Sequence, residues 1–276
     1  MLAELKKQQF RFKKSYGQNF IFDDNILQDV VDKITITKED LVLEVGAGTG
    51  NLTKYIVPKA SKTIAYEVDD KLIGLLEKNL ATAVGQYEIK AQDFLSTNLA
   101  LLDQEKKLFQ NIILIANLPY VITSPVLFKV LHEGNAIDKM LLMVQKEVGE
   151  RILASPQTKK YNALSVLLQY FFTIKLEKAV GKEVFYPAPE VDSVVLSFVR
   201  RRTKTVADDK FINFVKICFR QKRKTLKNNL KSLPQIDLSA MERILEEEGF
   251  SLQTRAEALP VEVFEKLVKK VQNETI

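Results

Sequence analysis

The sequence predicts an α/β fold, a doubly wound sheet with helices on both faces, followed by a small all-helical C-terminal domain. Three observations lead to this prediction. Between residues 41 and 200, apolar segments of strand character alternate with segments of helical period. The first of these strands ends in a glycine-rich turn over 46–50, which leads into a helical segment. Past Arg202 the strand pattern disappears and only helical patterns remain.

Each element of the sheet domain has its own local signal. A helix over 23–34 is predicted from its helical period and from the aspartates that can cap its start. The predicted strands are 41–45, 62–67, 86–90, 111–116, 139–144, 173–180 and 193–200. The predicted helices between them are 50–58, 70–80, a short one within 93–104, 124–132, 145–153 and 161–172. No helix separates the last two strands, so at least one of them should run antiparallel to its neighbour.

The C-terminal segment is predicted to be helical throughout. Helices are expected over 208–230, 238–248 and 260–273, and Pro260 suits the first turn of the last one. With 276 residues the chain is long enough for one large domain and one small domain. The predicted domains are a basic N-terminal arm over 1–22, the α/β domain over 23–204 and the helical domain over 205–276.

Composition excludes several kinds of chemistry. Cys218 is the only cysteine and His132 the only histidine, so the chain has no internal disulfide and no zinc site built from these two residue types. Any Ser–His or Cys–His nucleophile would have to use His132, which we expect at the end of a surface helix. No metal site is predicted. No apolar stretch approaches the ~20 residues of a membrane span, and the N-terminus lacks a signal-peptide pattern, so a cytoplasmic protein is expected.

Positive charge is concentrated in two places. The net charge is +6, and twelve Lys or Arg residues between positions 200 and 231 are opposed only by Asp208 and Asp209. A second basic cluster lies within residues 6–14. Phenylalanines interrupt both clusters, a pattern that favours a nucleic acid partner over the alternative of a solvated helix face. The candidate RNA-binding residues are Arg200, Arg201, Arg202, Arg220, Lys222, Arg223, Lys224 and Lys227.

The glycine-rich turn predicts a nucleotide-sized cofactor site. Gly46, Gly48 and Gly50 follow a strand at the spacing G-x-G-x-G, whereas a dinucleotide site would have G-x-G-x-x-G. This spacing is similar to the first motif of class I methyltransferases, which have a Rossmann-like sheet and bind S-adenosylmethionine (SAM). Glu67 ends the next strand, where its carboxylate can accept both ribose hydroxyls of the adenosyl group. The alternatives are a plain strand-to-helix turn and an exposed acid.

Two further residues are candidates for the same cofactor. Asp93 follows the third strand and is placed to accept from the adenine amine of SAM. Asn19 lies upstream of the glycine motif and can close over the methionine end. The alternative for both is a turn or cap residue, since aspartate and asparagine are common at such positions.

A tetrapeptide after the strand over 111–116 predicts a pocket for a planar amine. The Asn117 side-chain oxygen and the Leu118 carbonyl can each accept one N–H of an exocyclic amino group, which orients the nitrogen lone pair toward a methyl donor. Pro119 makes the turn rigid, and Tyr120 offers a face on which a base can stack. Phe185 is a candidate for the opposite wall. The alternatives are a generic turn and, for Phe185, ordinary core packing.

The motifs together resemble one family. The segments 16–21, 45–50, 117–120 and 184–195 are similar to those of the rRNA adenine N6,N6-dimethyltransferases. The resemblance implies that SAM is the cofactor and that a target adenine must be single-stranded or flipped out. By the same resemblance, the cofactor would be lined by Asn19, Ile21, Gly46, Glu67, Asp93 and Asn117. The adenine would be held by Asn117, Tyr120 and Phe185.

The resemblance is closer to the branch that dimethylates two adjacent adenines in the 3′-terminal hairpin of small-subunit rRNA. That branch is favoured by Leu118, by residues 189–193 and by the Lys- and Arg-rich stretch 219–228. The implied partner is the rRNA of the assembling small subunit, with the enzyme acting as a monomer in ribosome biogenesis. The alternatives are a macrolide-resistance methyltransferase acting on large-subunit rRNA and a non-catalytic RNA-binding relative. A DNA adenine methyltransferase and a dehydrogenase are more distant alternatives.

Overall fold

The structure is a computed structural model that describes residues 17–201, 206–231, 233 and 236–272. The predicted N-terminal arm covers residues 1–22, of which 1–16 lie outside the described residues. The candidate Arg202 also lies outside them. Contacts divide the described residues into two units, one within the ranges 1–149 and 174–200 and the other within 150–173 and 201–276.

A seven-stranded sheet of order β4-β3-β2-β5-β6-β9-β7 forms the first unit. Neighbouring strands from β4 to β6 are parallel, and β9 pairs antiparallel with β6, which confirms the predicted antiparallel strand. A separate antiparallel pair joins β1 to β8. The strands are β1 (Phe20–Ile21), β2 (Leu41–Val45), β3 (Lys62–Glu67), β4 (Gln86–Ala91), β5 (Ile112–Asn117), β6 (Lys139–Gln145), β7 (Phe172–Val180), β8 (Phe185–Tyr186) and β9 (Ser193–Arg200).

Helices follow most of the strands of the first unit. They are α1 (Asp24–Val31), α2 (Thr53–Ile56), α3 (Asp70–Leu80), α4 (Leu102–Glu105), α5 (Thr123–Glu133) and α6 (Lys146–Ile152). Asp23 and Asp69 cap α1 and α3 by accepting from backbone N–H groups of the first turn. The predicted α/β class is confirmed. The helix predicted over 50–58 is shorter than expected, because the glycine turn extends to residue 52 before α2 begins.

The second unit is helical. Its helices are α7 (Ala163–Phe171), α8 (Val206–Cys218), α9 (Leu226–Leu230), α10 (Leu238–Glu247) and α11 (Val261–Gln272). The prediction of a single helix over 208–230 is wrong, since the helix ends at Cys218 and a second one begins only at Leu226. Asn229 is buried and bonds the backbone N–H and carbonyl of Gln221 at 2.9 and 3.3 Å, while the Thr225 side chain caps α9. These side-chain bonds compete with a continuous helical ladder.

The segment 150–173 belongs by its contacts to the helical unit. Tyr161 is fully buried and packs edge-on against Phe219, and Tyr170 stacks on Phe211 with ring centroids 3.8 Å apart. The Tyr170 hydroxyl also donates to Asp208 at 2.6 Å. The division into a methyltransferase domain and an RNA-docking domain is a functional one and stays a prediction. Within the described part of the chain, no helix is long and apolar enough to span a membrane.

The centre of the sheet determines where a site can form. Every residue of β2 is buried, as expected for a parallel strand covered on both faces. The strand order runs outward in opposite directions from β2 and β5, so their carboxyl ends flank a topological switch point. Open α/β sheets bind ligands in the crevice at such a point.

Candidate active site

A cavity of about 250 Å³ lies at the carboxyl ends of β2, β3, β4 and β5. Segments that are far apart in the sequence meet there, as predicted for the ends of neighbouring parallel strands. The predicted site residues that line it are Asn19, Gly46, Gly48, Glu67, Asp93, Asn117, Leu118, Pro119 and Tyr120.

The glycine turn forms the floor of the cavity. The backbone N–H groups of Gly46 and Ala47 both donate to the Tyr66 carbonyl, at 2.9 and 3.0 Å, which ties the turn to β3. Gly46 and Gly48 have φ angles of 74° and 60°, in the left-handed region that favours glycine. A Cβ added to Gly48 would lie 2.6 Å from Cε1 of Phe20. A side chain at this position would therefore have to displace the Phe20 ring.

Glu67 is held in place by backbone amides. Its Oε2 accepts from the Gly48 N–H at 2.8 Å, and its Oε1 accepts from the N–H groups of Val68 and Asp69, each at 2.8 Å. Burial raises the pKa of Glu67, and these three hydrogen bonds oppose the rise. A carboxylate has about four lone-pair sites, so one remains for a ribose hydroxyl; binding both hydroxyls would require sharing with an amide.

The orientation of the Asn117 amide follows from its hydrogen bond. The Asn117 Nδ2 group donates to the Asn19 backbone carbonyl at 3.1 Å, and a carbonyl partner requires the nitrogen end of the amide. The Asn117 oxygen is therefore left as an acceptor. Leu118 donates its N–H to the Met143 carbonyl at 3.1 Å, and no described residue donates to the Leu118 carbonyl. Two acceptors are thus available on consecutive residues, as the predicted amine pocket requires.

The N-terminal segment, residues 17–20, packs over the turn of residues 117–120. A Cβ on Gly17, whose φ is 60°, would lie 3.2 Å from the Pro119 Cβ, so the two backbones are close. The Gln18 side chain donates to Asp69 at 2.8 Å and links the segment to the end of β3. The half-buried Tyr120 has its hydroxyl 3.3 Å from the Ser193 Oγ, and burial raises its pKa.

Asp93 is exposed at the rim of the cavity. Its Oδ1 accepts from the Leu95 N–H at 2.8 Å and caps a short 3₁₀ turn. This is the cap role considered as the alternative, but it uses only one of the two carboxylate oxygens. The other oxygen leaves Asp93 able to accept from an amine in the cavity.

Sequence reasoning missed Phe20. This ring lines the cavity and contacts Gly48, so it closes the site on the side of the N-terminal segment. The signal that could have found it is an aromatic residue directly after Asn19. Tyr66 and Phe94 were also missed; their rings pack edge-on with centroids 5.3 Å apart and supply an apolar wall.

Two predicted site residues lie elsewhere. Ile21 and Phe185 are paired across β1 and β8, are 3% and 4% exposed, and belong to the same core cluster. Neither lines the large cavity. The structure therefore does not bring Phe185 to the base-stacking position that the sequence suggested, because its apolar ring is buried in the core. The Ile21 carbonyl accepts from the Asn51 side chain at 2.8 Å.

Among the basic candidates, Arg200 has a structural role. Its Nε donates to the Ile137 carbonyl at 2.6 Å and its Nη2 to the Gly134 carbonyl at 2.7 Å. Burial lowers its pKa to about 10. The guanidinium holds the loop after α5, so the expectation that Arg200 contacts RNA is not supported by its position.

The remaining described candidates are exposed on the helical unit. Arg201 donates to the Gln169 carbonyl at 3.1 Å and Lys222 to the Lys159 carbonyl at 2.8 Å. Arg220, Arg223, Lys224 and Lys227 are exposed as well. We name the group Arg220, Lys222, Arg223, Lys224 and Lys227 the basic segment.

Comparisons with known proteins show which family the chain resembles. A family model described as "Ribosomal RNA adenine dimethylase" matches residues 9–272. A Clostridium botulinum protein named "Ribosomal RNA small subunit methyltransferase A" is 38% identical over 266 residues, covering 95% of each chain. A Bacillus cereus protein of the same name is 37% identical over 268 residues, covering 94% of this chain and 91% of the relative.

Two solved structures share the fold. A dimethyladenosine transferase from Plasmodium falciparum is 26% identical with a TM-score of 0.76, covering 93% of this chain and 98% of that one. The 23S rRNA methyltransferase ErmE has a TM-score of 0.69 at 21% identity, covering 92% and 99%. The likeness to ErmE shows the fold alone.

Proposed function

Since the chain belongs to the ribosomal RNA adenine dimethylase family, we propose that it transfers methyl groups from SAM to N6 of two adjacent adenines in the 3′-terminal hairpin of small-subunit rRNA. The curated relatives at 37–38% identity carry a small-subunit name, which favours this substrate over large-subunit rRNA. We further propose that it acts as a monomer on the assembling subunit.

The residues of the cavity fit SAM as the cofactor. The glycine turn brings backbone without side chains to the floor of the cavity, and the buried Glu67 keeps a lone-pair site for a ribose hydroxyl. Asp93 would accept from the adenine amine, and Tyr66 and Phe94 would contact the apolar surface of the adenosyl group. When bound, SAM supplies an electrophilic methyl group on a sulfonium.

The turn over 117–120 activates the target amine by position. The lone pair of an adenine amino group is delocalised into the ring, which makes the nitrogen a weak nucleophile. The Asn117 oxygen and the Leu118 carbonyl would each accept one N–H and so direct the lone pair out of the base plane. Tyr120 would stack on the base, a contact typically worth ~1–3 kcal/mol.

No tuned base is needed for this reaction. Methylation makes the nitrogen positively charged, and its proton is then acidic enough to leave to water. The catalytic advantage therefore comes from holding two reactants in line. The observation that carries the proposal is the Asn117 amide, whose nitrogen is bound to the Asn19 carbonyl and whose oxygen is left as an acceptor.

A methyl-transfer assay tests the proposed function. Purified protein with tritiated SAM should label small subunits that lack dimethyladenosine, and mass mapping should place two methyl groups on each of two adjacent adenines near the 3′ end. Protein-free large-subunit rRNA is the matched substrate for the alternative. Labelling of that rRNA instead would overturn the small-subunit assignment, and no labelling of either would favour a non-catalytic relative.

The basic segment is expected to bind the rRNA backbone. Changing Lys222, Arg223, Lys224 and Lys227 together to glutamine should weaken RNA binding about tenfold or more at moderate salt. It should also lower the salt dependence of binding, because fewer counterions are released. SAM affinity should not change. Filter binding at several salt concentrations measures both quantities; an unchanged salt slope would exclude this segment from the interface.

A further inference from the structure

The orientation of the Tyr120 ring decides whether it can stack on a base, because stacking uses the flat face of the ring. Tyr120 lies in the turn between the end of β5 at Asn117 and the start of α5 at Thr123, and its half-buried side chain lines the large cavity. The chain runs through a turn there, so contacts of the side chain have to hold the ring in one orientation.

A buried serine supplies such a contact. The Tyr120 hydroxyl lies 3.3 Å from the Ser193 Oγ, either hydroxyl can donate, and Ser193 is 1% exposed. A separation of 3.3 Å is long for a hydrogen bond between two hydroxyls. Hydrogen bonds in the active sites of free enzymes are often long and tighten when the substrate binds. The pair is therefore placed to tighten as a base settles on the ring.

The sheet topology explains why this serine is at the site. β9 runs antiparallel to β6, so its first residue, Ser193, lies at the edge of the sheet where the parallel strands end. One strand, β6, separates β5 from β9. Two strand spacings amount to about 9.5 Å, a span that suits a tyrosine, which carries its hydroxyl at the far end of a long side chain.

Ser193 is itself held firmly. Its backbone is paired with Gln145 at the end of the β6–β9 ladder. The preceding residue, Asp192, accepts through its carbonyl from the Lys146 N–H at 2.9 Å and through its Oδ1 from the Lys182 N–H at 3.1 Å. The serine hydroxyl is thus a fixed point of the sheet beside a turn that carries the tyrosine.

We infer that Ser193 is a positioning residue for the target adenine. Its hydroxyl holds the Tyr120 hydroxyl, which keeps the face of the ring toward the base while Asn117 and Leu118 accept from the amine. The inference rests on the proposed function, in which Tyr120 stacks on the base. It also gives a role to the last residue of the stretch 189–193.

Replacing Ser193 with alanine removes the hydroxyl and keeps the residue small. The single-turnover rate of methyl transfer, measured with saturating SAM and small subunits that lack dimethyladenosine, should fall about five- to tenfold, the effect of losing one hydrogen bond between uncharged groups. SAM affinity, measured by calorimetry, should not change, because the contact is on the side of the base. A wild-type rate in this variant would overturn the inference.

Ser197→Ala is the matched control. Ser197 lies on the same strand, is 8% exposed, and its hydroxyl donates to Glu177, away from the cavity lining. The control also loses one hydroxyl bond of β9, but it should methylate at the wild-type rate. An equal loss of rate in both variants would show that β9 as a whole, and not the Ser193 hydroxyl, supports catalysis, and would overturn the inference.

A double-mutant cycle with Tyr120→Phe tests the contact itself. This variant keeps the ring and removes the same hydrogen bond from the other side, so its rate should fall as much as that of Ser193→Ala. The double variant should be no slower than either single variant. Independent effects would multiply to about 25- to 100-fold, and that result would overturn the inference. Tyr120→Phe leaves the strand intact, so a wild-type rate in it would overturn the inference even if Ser193→Ala fails to fold.

A readout without catalysis separates this inference from the proposed function. In protein labelled with ¹³C in its tyrosine rings, the Tyr120 signal is the one that Tyr120→Phe removes. Ser193→Ala should shift that signal and Ser197→Ala should not. An unshifted signal, in protein whose wild type methylates small subunits, would overturn the inference alone. Wild-type protein that methylates no rRNA would overturn the proposed function and, with it, the role of Ser193 in the reaction, even if the signal shifts.

Discussion

Replacing Asn117 with alanine is expected to slow methyl transfer about 100-fold or more while changing SAM affinity less than tenfold. The side-chain oxygen is one of two acceptors available for the target amine, and the Leu118 carbonyl alone cannot orient both N–H groups. The loss of the bond from Asn117 to the Asn19 carbonyl, 3.1 Å long, also loosens the N-terminal segment. Single-turnover rates with saturating SAM measure the first effect, and calorimetry measures the second.

A matched control for this variant is Asn25→Ala. Asn25 is exposed on α1, away from the cavity lining, so its replacement should leave both rate and SAM affinity unchanged. An Asn117→Ala variant that methylates at nearly the wild-type rate would show that the amine is not held by this side chain.

Replacing Gly48 with alanine is expected to weaken SAM binding about 100-fold or more. A non-glycine residue at φ of 60° costs about 1–2 kcal/mol, and a Cβ there would displace the Phe20 ring, 2.6 Å away. Relief of that strain moves the Gly48 N–H away from Glu67, and a hydrogen bond to a charged group contributes roughly 1.5–3 kcal/mol. Equilibrium binding of SAM measures the loss.

Gly74→Ala is the control for the glycine prediction. Gly74 lies within α3, has no positive φ, and a Cβ there would meet nothing within 4 Å. Alanine at this position should raise the free energy of unfolding by about 0.5–1 kcal/mol and leave SAM affinity unchanged. Equal loss of SAM affinity in both variants would mean that the glycine turn has no special role.

The local elements of the sheet domain were predictable because their signals are local. The strands over 41–45 and 62–67 and the helix over 70–80 were predicted at their observed bounds. Apolar runs, capping aspartates and glycine turns lie within a few residues of the ends they determine. The carboxyl ends of parallel strands meet at one edge, so the meeting of Gly46, Glu67 and Asn117 also followed from the order of elements.

The positions of individual side chains were less predictable. Whether Phe185 lines a cavity or the core depends on the pairing of β8 with β1, which joins residues more than 160 positions apart. Arg200 belongs by composition to a basic cluster, but its guanidinium binds carbonyls of a loop that no local pattern connects to it.

A crystal structure of the protein with S-adenosylhomocysteine and adenosine monophosphate tests the central claim most directly. We expect the ribose of the cofactor product at Glu67 and its sulfur facing the adenine N6. That nitrogen should lie within hydrogen-bond distance of the Asn117 oxygen and the Leu118 carbonyl. Cofactor product bound away from the glycine turn, or an adenine whose amino group contacts neither acceptor, would contradict the account.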